Sequence, residues 1–181
     1  MAIMVKLILI SVSSLLLMSC GRGRCAGVEN TFTGDISVNQ FVLRDTSCFV
    51  HLEKIPDEIE DPNIGEFVGF SNKSSSEFLL LCCENGGFRN QYNYFYLTDS
   101  VHPEYRPKMV ILEDSVFYTT SGVHIGSSET EFCEKYKGLD FSVSQNASEK
   151  TYEFQDTIDL YRSIYRFYDG ILKHVEFGYV W

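Results

Sequence analysis

The N-terminal segment limits which residues can belong to a folded domain. Lys6 is the only charged residue before an apolar stretch at 7–18, and Ser19 and Cys20 follow. Crossing the ~30 Å hydrocarbon core of a bilayer takes about 20 apolar residues, so this stretch is too short for a membrane span. The order of positive charge, short apolar run and small residue predicts a secretory signal peptide at 1–19. The fold is therefore expected to begin after it.

The residues around the predicted cleavage point resemble a bacterial lipobox. Leu17 and Ser19 precede Cys20 as in that motif. The resemblance implies a lipoprotein whose Cys20 thiol carries diacylglycerol and whose signal is cut immediately before this residue. Gly21 stands where an aspartate usually marks inner-membrane retention, which favours the periplasmic side of the outer membrane in a Gram-negative cell. The alternative is a plain secretory signal, cut near Ser19 or Ala26, in which Cys20 is coincidental.

The mature chain is acidic and long enough to bury a hydrophobic core. Residues 20–181 suffice for one domain or two small halves, and the whole chain has a formal net charge of -10. Nucleic acids and anionic lipid surfaces are bound through clustered Lys and Arg, so we expect neither as a partner. The N-terminal lipid would instead hold the protein at the membrane.

The cysteine pattern permits disulfides but does not define them. The cysteines after Cys20 are Cys25, Cys48, Cys82, Cys83 and Cys133. An oxidising compartment allows pairing, and an odd number leaves at least one thiol free or paired between chains. The sequence has no C-x-x-C and no histidine pair nearby, so we predict neither a metal site nor a cofactor.

Apolar runs between turn residues predict an antiparallel sheet. Asn85-Gly86 lies between the runs 77–83 and 92–98, which is a strong hairpin signal. The first run is apolar on both faces, which indicates a central strand. Further strands are predicted at 36–43, 67–70, 151–155, 160–168 and 171–179, and one or two more within 108–120. The segment 160–168 does not alternate strictly, which indicates a bulge or a register change, and Asp169-Gly170 forms the turn before 171–179.

Two short helices are predicted. The clearer one spans 127–138, where Ser127 or Ser128 caps the helix, Glu131 completes a capping box and Gly138 ends it. The other spans 45–52, with Asp45 as its cap.

These elements predict an α+β domain at 34–181, with a β-meander sheet packed by one or two short helices. The small polar residues at 20–33 would carry the lipid and form a tether. Residues 41–50 and 123–132 are weakly alike. If they reflect a tandem repeat, the domain has two halves, 34–121 and 122–181.

The second half carries the better motif. Residues 122–126, the capped helix ending at Gly138 and the hairpin at 168–170 resemble the helix-plus-meander unit of β-lactamase-inhibitory-protein-like domains. The same unit occurs in the small lipoprotein of the outer-membrane barrel-assembly machine. The resemblance covers 122–181 and, loosely, 36–100. It implies a binding or assembly module without catalytic residues, and it names neither a β-lactamase nor a barrel-assembly protein as the partner.

An acidic segment is the first candidate binding site. Residues 53–66 contain two prolines and are predicted to form a surface loop, whose acidic candidates are Asp57, Glu58, Glu60 and Asp61. Such a cluster indicates either a dock for a basic protein or an ordinary solvated loop.

A tyrosine row is the second candidate. Tyr92, Tyr94 and Tyr96 alternate, so a strand would present them on one face. Tyrosine is frequent at the energetic centres of interfaces, although packing of the sheet against a helix is the alternative reading.

No motif predicts catalysis. The histidines His51, His102, His124 and His174 form no H-E-x-x-H, and the chain has no G-x-S-x-G, P-loop or dinucleotide fingerprint. We therefore expect a non-enzymatic, lipid-anchored protein that binds another protein, as an immunity or inhibitor lipoprotein or as an envelope-assembly accessory. The alternatives are an envelope hydrolase with an unrecognised site, indicated by a histidine and a carboxylate clustered in a pocket, and a structural lipoprotein without a dedicated partner. A continuous surface of tyrosines and acidic residues would favour binding.

Overall fold

The described part of the chain consists mainly of β-strands, with one α-helix. The computed structural model of the protein describes residues 21–24, as backbone only, together with 34–83 and 91–180. Helix α1 spans Glu129–Lys135, and a short 3-10 helix spans Arg106–Lys108. The strands are β1 (Gly21–Arg24), β2 (Ser37–Val38), β3 (Phe41–Val42), β4 (Glu58–Asp61), β5 (Gly65–Ser71), β6 (Phe78–Cys82), β7 (Tyr94–Thr98), β8 (Val110–Ile111), β9 (Asp140–Asn146), β10 (Glu149–Asp156), β11 (Tyr161–Tyr168) and β12 (Ile171–Tyr179).

Two antiparallel meanders, joined through one strand pair, form the large sheet. Strands β4 to β7 make up the first meander and β9 to β12 the second. Their last strands, β7 and β12, pair antiparallel, from Thr98 opposite His174 to Tyr94 opposite Gly178. Strand β1 adds to β9 at one edge, β4 forms the other edge, and β8 pairs in parallel with β5. The coarse prediction of an α+β fold built on an antiparallel sheet is confirmed.

Several elements agree with their local sequence signals. Helix α1 has the predicted capping box between Ser128 and Glu131, and Gly138 follows it with a φ of +93°. Strands β6 and β7 pair as expected, and every residue of β6 is buried, as a central strand requires. The Asn85-Gly86 turn lies outside the described residues. The predicted irregularity is present as a register change, since the pairing of β11 with β12 shifts between Arg166 and Phe167.

Other predictions are wrong, and local hydrogen bonding or pairing explains them. The segment 36–43 forms the short hairpin of β2 and β3 instead of one strand. Residues 45–52 form turns instead of a helix, because the Asp45 carboxylate accepts hydrogen bonds from the Ser47 amide and hydroxyl at 2.8 and 2.7 Å. Such local bonds compete with helix formation. Within 108–120 only the two-residue β8 is extended into a strand.

Two strands occupy segments that were predicted as loop or tether. The predicted acidic loop at 53–66 contains β4 and the start of β5. Strand β1 lies within the predicted tether at 20–33, whose other residues are outside the described part of the chain, as are Cys20 and the predicted signal peptide. Strand β9 was not predicted, because only Phe141 and Val143 alternate there among polar residues.

The main core covers one face of both meanders, and α1 packs into the part of it that lies against the second meander. The Phe132 ring of α1 is its centre, and it is fully buried. Five other rings have centroids between 4.7 and 5.3 Å from it, those of Tyr136, Phe141, Tyr152, Tyr165 and Phe167. Aromatic packing at such distances adds to the free energy gained by burying the rings themselves.

A buried carboxylate ties the beginning of the domain to this core. Asp35 is fully buried, and its Oδ2 accepts hydrogen bonds from the hydroxyls of Tyr136 and Tyr165, the latter at 2.7 Å. Its Oδ1 accepts the Ser121 amide at 2.9 Å, and its carbonyl accepts the Tyr161 hydroxyl at 2.8 Å. Burial and the Asp35 charge raise the pKa of all three tyrosines, so they stay protonated and donate.

We predict that Asp35→Asn destabilises the protein by about 2–4 kcal/mol. Asn keeps one acceptor oxygen, so its NH2 group would face either the two tyrosine hydroxyls or the Ser121 amide, all of which donate. Urea unfolding at pH 7 measures this change in the free energy of unfolding. The control is Asp159→Asn, at an exposed position, which should change stability by less than about 0.5 kcal/mol. Equal effects of the two variants would contradict the role given to Asp35.

Candidate functional site

The predicted acidic residues lie on and beside the edge strand of the sheet. We define the acidic edge as Asp57, Glu58, Glu60, Asp61 and Glu66. Strand β4 alternates, so that Ile59 is 1% exposed and anchored in the interior while Glu58 and Glu60 point to solvent. Among the described strands, β4 pairs with β5 at 58–61. Charged side chains on such an edge discourage uncontrolled pairing with other strands.

Negative charge accumulates at the acidic edge. Glu60 is directly opposite Glu66 in the β4–β5 register, and like charges in that position destabilise a sheet. The same field reaches the neighbouring thiol, since burial and the charges of Glu58 and Glu66 raise the pKa of Cys83. The pairing of Glu60 with Glu66 therefore carries a local electrostatic cost.

Asp61 has a structural role within the acidic edge. Its Oδ1 accepts the amides of Asn63 and Ile64 at 2.7 and 3.1 Å, which fixes the turn into β5. Its Oδ2 accepts the Tyr105 hydroxyl at 2.5 Å. The hydrogen bond from Tyr105 is the largest factor lowering the pKa of Asp61. Tyr105 is distant in sequence, so no local pattern could have assigned it to this site.

The three predicted tyrosines do not share a face. Tyr92 precedes β7 and packs in the main core, whereas Tyr94 and Tyr96 lie with the apolar cluster on the other side of the sheet. The alternation therefore breaks before β7, where the Asn93 amide bonds to the Cys82 carbonyl. Tyr92 and Tyr94 are 7% and 2% exposed, and Tyr96 is half-buried. The prediction of a single tyrosine face is wrong for Tyr92.

The tyrosines and the acidic edge are also separate. Ile59 pairs with Phe67, Phe67 with Cys82, and Cys82 with Tyr94. Three strand spacings correspond to about 14 Å, and the intervening Phe67 and Cys82 are buried. The tyrosines and the acidic residues therefore do not form one continuous surface.

Tyr94 instead borders a charge cluster on the outer face of the second meander, the face opposite α1. We define this outer-face cluster as Tyr94, Arg166, His174 and Glu176. Glu176 accepts from Arg166 at 2.6 Å and from the Tyr94 hydroxyl at 3.4 Å, and its Oε1 is 3.6 Å from His174 Nε2. Nearby, Arg162 binds Glu153 at 2.7 Å.

Electrostatic partners keep Glu176 charged. Its side chain is 10% exposed; burial alone would raise its pKa, but His174 and Arg166 outweigh burial and lower it. The sequence signal for this cluster was present in part, because His174 and Glu176 are two residues apart on one strand. Arg166 comes from the adjacent strand through the β11–β12 register. In chemical terms the cluster brings a carboxylate, a guanidinium and an imidazole nitrogen without a hydrogen-bond partner in the described structure close together.

A polar cleft lies beside this cluster, on the same face. It is lined by Asp140, Phe141, Ser142, Glu153 and Gln155. Within the described segments, no group of three or more His, Cys, Asp or Glu side chains is arranged to hold a metal ion. In the same segments, no helix combines the length and the apolar character that crossing a bilayer requires.

Comparisons with known proteins add no family to this geometry. No family model, no curated protein and no solved structure matches the chain. The lipobox and the helix-plus-meander unit remain resemblances. The two candidate surfaces are the acidic edge and the outer-face cluster.

We predict that Glu176→Gln destabilises the protein by about 1–3 kcal/mol at pH 7, because it removes a charge that Arg166 stabilises. The folded state lowers the pKa of Glu176, so its contribution is complete above the pKa of an unfolded glutamate, about 4.3, and is lost as pH falls. The stability gap between wild type and Glu176→Gln should therefore narrow at pH 3. Urea unfolding at both pH values measures it.

The control for this prediction is Glu134→Gln, at an exposed position of α1. It should stay within about 0.5 kcal/mol of wild type at both pH values. A Glu176→Gln variant that is more stable than wild type at pH 7 would show that burial, and not the cluster, controls Glu176.

Proposed function

We propose that this protein is a non-enzymatic, lipid-anchored protein of the bacterial envelope that acts by binding another protein. An immunity or inhibitor lipoprotein and an envelope-assembly accessory are the two forms of this proposal. The observation that carries it is the acidic edge, where Glu58 and Glu60 are exposed on the terminal strand and Glu60 faces Glu66. We expect a partner that presents basic residues.

The charge of the acidic edge favours a basic partner. A basic partner would relieve the repulsion between Glu60 and Glu66, so part of the unfavourable electrostatic energy of the free protein becomes binding energy. The charge of -10 would speed the encounter with a cationic protein at low ionic strength.

The lipid anchor supplies the location. The proposed signal at 1–19 and the acylated Cys20 would place the domain on the periplasmic side of the outer membrane. One acylated N-terminus with two or three chains holds a protein stably at a bilayer without a basic patch. The shared order of four strands in the two meanders supports the further proposal that 34–121 and 122–181 are tandem repeats.

An envelope hydrolase is the second candidate, and the outer-face cluster favours it. His174 Nε2 lies 3.6 Å from Glu176 Oε1, and this nitrogen is buried without a hydrogen-bond partner in the described structure. A histidine placed beside a carboxylate has the chemistry of a general base. Ester or peptide hydrolysis by the purified domain that His174→Ala abolishes, with the fold intact, would favour this candidate over binding.

We predict that Glu58→Lys/Glu60→Lys abolishes capture of a stoichiometric, salt-sensitive partner by the soluble domain, residues 21–181. The bait is incubated with the envelope of the producing cell and with toxin-bearing neighbours, and bound protein is quantified across a salt series. The lysine introduced at position 60 would face Glu66, so the variant should be slightly more stable, by about 0.2–1 kcal/mol. Loss of binding would then not arise from unfolding.

The matched control is Glu134→Lys/Asp159→Lys, which makes the same change in net charge at exposed positions outside the acidic edge. It should retain the partner. Equal loss of the partner in both variants would indicate non-specific electrostatic attraction. If the wild-type domain captures no partner, the assignment moves to the hydrolase or to a structural lipoprotein.

We predict that Cys20→Ala abolishes incorporation of labelled palmitate and releases the protein from the membrane fraction, because the thiol that carries the lipid is absent. Cys25→Ala is the matched control and should remain labelled. Palmitate labelling followed by membrane fractionation measures both. Persistent labelling of Cys20→Ala would overturn the lipobox assignment.

A further inference from the structure

We propose that one end of the second meander rests against the headgroup layer of the membrane, so that the domain has a fixed orientation. We define this surface as the membrane-facing end, formed by the turns at 146–149 and 168–171. The inference rests on the lipid anchor at Cys20 proposed above and adds a lipid contact surface to it. The surface follows from where β1 joins the sheet.

Strand β1 begins one residue after the proposed lipid attachment point. Gly21 pairs with Val143 of β9, and the Cα of the preceding Cys20 is about 3.8 Å from that of Gly21. Strand β9 reaches its turn at Asn146, three residues beyond Val143, which is about 10 Å along the strand. The lipid would therefore emerge beside this turn, without a flexible tether to separate the domain from the bilayer.

The two turns of this end form one unit. Glu149 pairs with Tyr168, and the Asp169 amide donates to the Ser148 carbonyl at 2.9 Å. The unit exposes two large side chains, since Tyr168 is 41% and Ile171 is 38% accessible. Tyrosine suits the boundary between headgroups and acyl chains, because its ring is apolar and its hydroxyl is polar.

The charges of this end select the kind of lipid surface. Glu149 and Asp169 are the charged residues of the two turns, and both are acidic. Contact with anionic headgroups would be unfavourable, so we expect a zwitterionic surface. The lipid chains on Cys20 supply the binding energy, and the turns determine which side faces the bilayer.

The opposite end of the same strands provides an internal reference. Strand β10 runs for eight residues from Glu149 to Asp156, which is about 27 Å. Beyond it, Ile158 lies in the next turn and is 90% exposed. If the membrane-facing end contacts headgroups, Ile158 stands well away from them.

The test compares single tryptophans at the two ends of the mature, lipidated protein. Trp181, the one tryptophan of the chain, is first changed to Phe. Tyr168→Trp and Ile158→Trp are then made separately in that background and reconstituted into phosphatidylcholine vesicles that contain lipids with a nitroxide on the headgroup. We expect the nitroxide to quench Tyr168→Trp fluorescence several-fold more than Ile158→Trp fluorescence.

A matched control frees the domain while keeping its lipid and its fold. A flexible Gly/Ser tether inserted between Cys20 and Gly21 should reduce quenching of Tyr168→Trp towards that of Ile158→Trp. Vesicle flotation separates the two proposals. Protein that does not float with vesicles overturns the lipid anchor itself. Protein that floats but shows equal quenching at both positions, or stronger quenching of Ile158→Trp, overturns the orientation alone.

Discussion

The pairing of β7 with β12 is the interaction on which the rest of the structure depends. It converts two separate meanders into one sheet and allows the main core to extend across both. The close approach requires glycine at 178, since an added Cβ would lie 2.2 Å from the Asn93 carbonyl oxygen and 2.6 Å from the Tyr94 Cα. Without this pair each meander would expose an additional unpaired edge. Tyr94 of β7 would also no longer lie beside Glu176 of β12.

Local sequence signals were sufficient to predict the elements whose conformation is determined by their own residues. The capping box of α1, the strands on either side of Asn85-Gly86 and the turn at Asp169-Gly170 were all predictable for this reason. Strands β4 and β9 were not, because each is extended through pairing with a neighbour instead of through its own apolar alternation. At Asp45 a side-chain hydrogen bond replaced the helix that the same residue suggested.

The candidate site was predictable in composition but not in arrangement. The acidic residues could be named from sequence, yet their position on a terminal strand depends on the order of strands in the sheet. The prediction that the three tyrosines share one face was wrong for Tyr92, because side chains alternate regularly only within a continuous strand. Tyr105 and Arg166 join their partners Asp61 and Glu176 through tertiary structure and sheet pairing, so neither contact leaves a trace in local sequence.

The buried Asp35 also has a consequence for the time at which the chain can fold. Its three tyrosine donors follow it by 101, 126 and 130 residues. Contacts so distant in sequence form late, since the entropy of closing the loop is lost before the contact is gained. If the chain crosses a membrane in an extended form, Asp35 cannot complete its hydrogen bonds until β11 has emerged. The N-terminal third of the domain would lack these contacts until then. Fragments that end before β11 would remain accessible to proteases, so only complete chains would escape degradation.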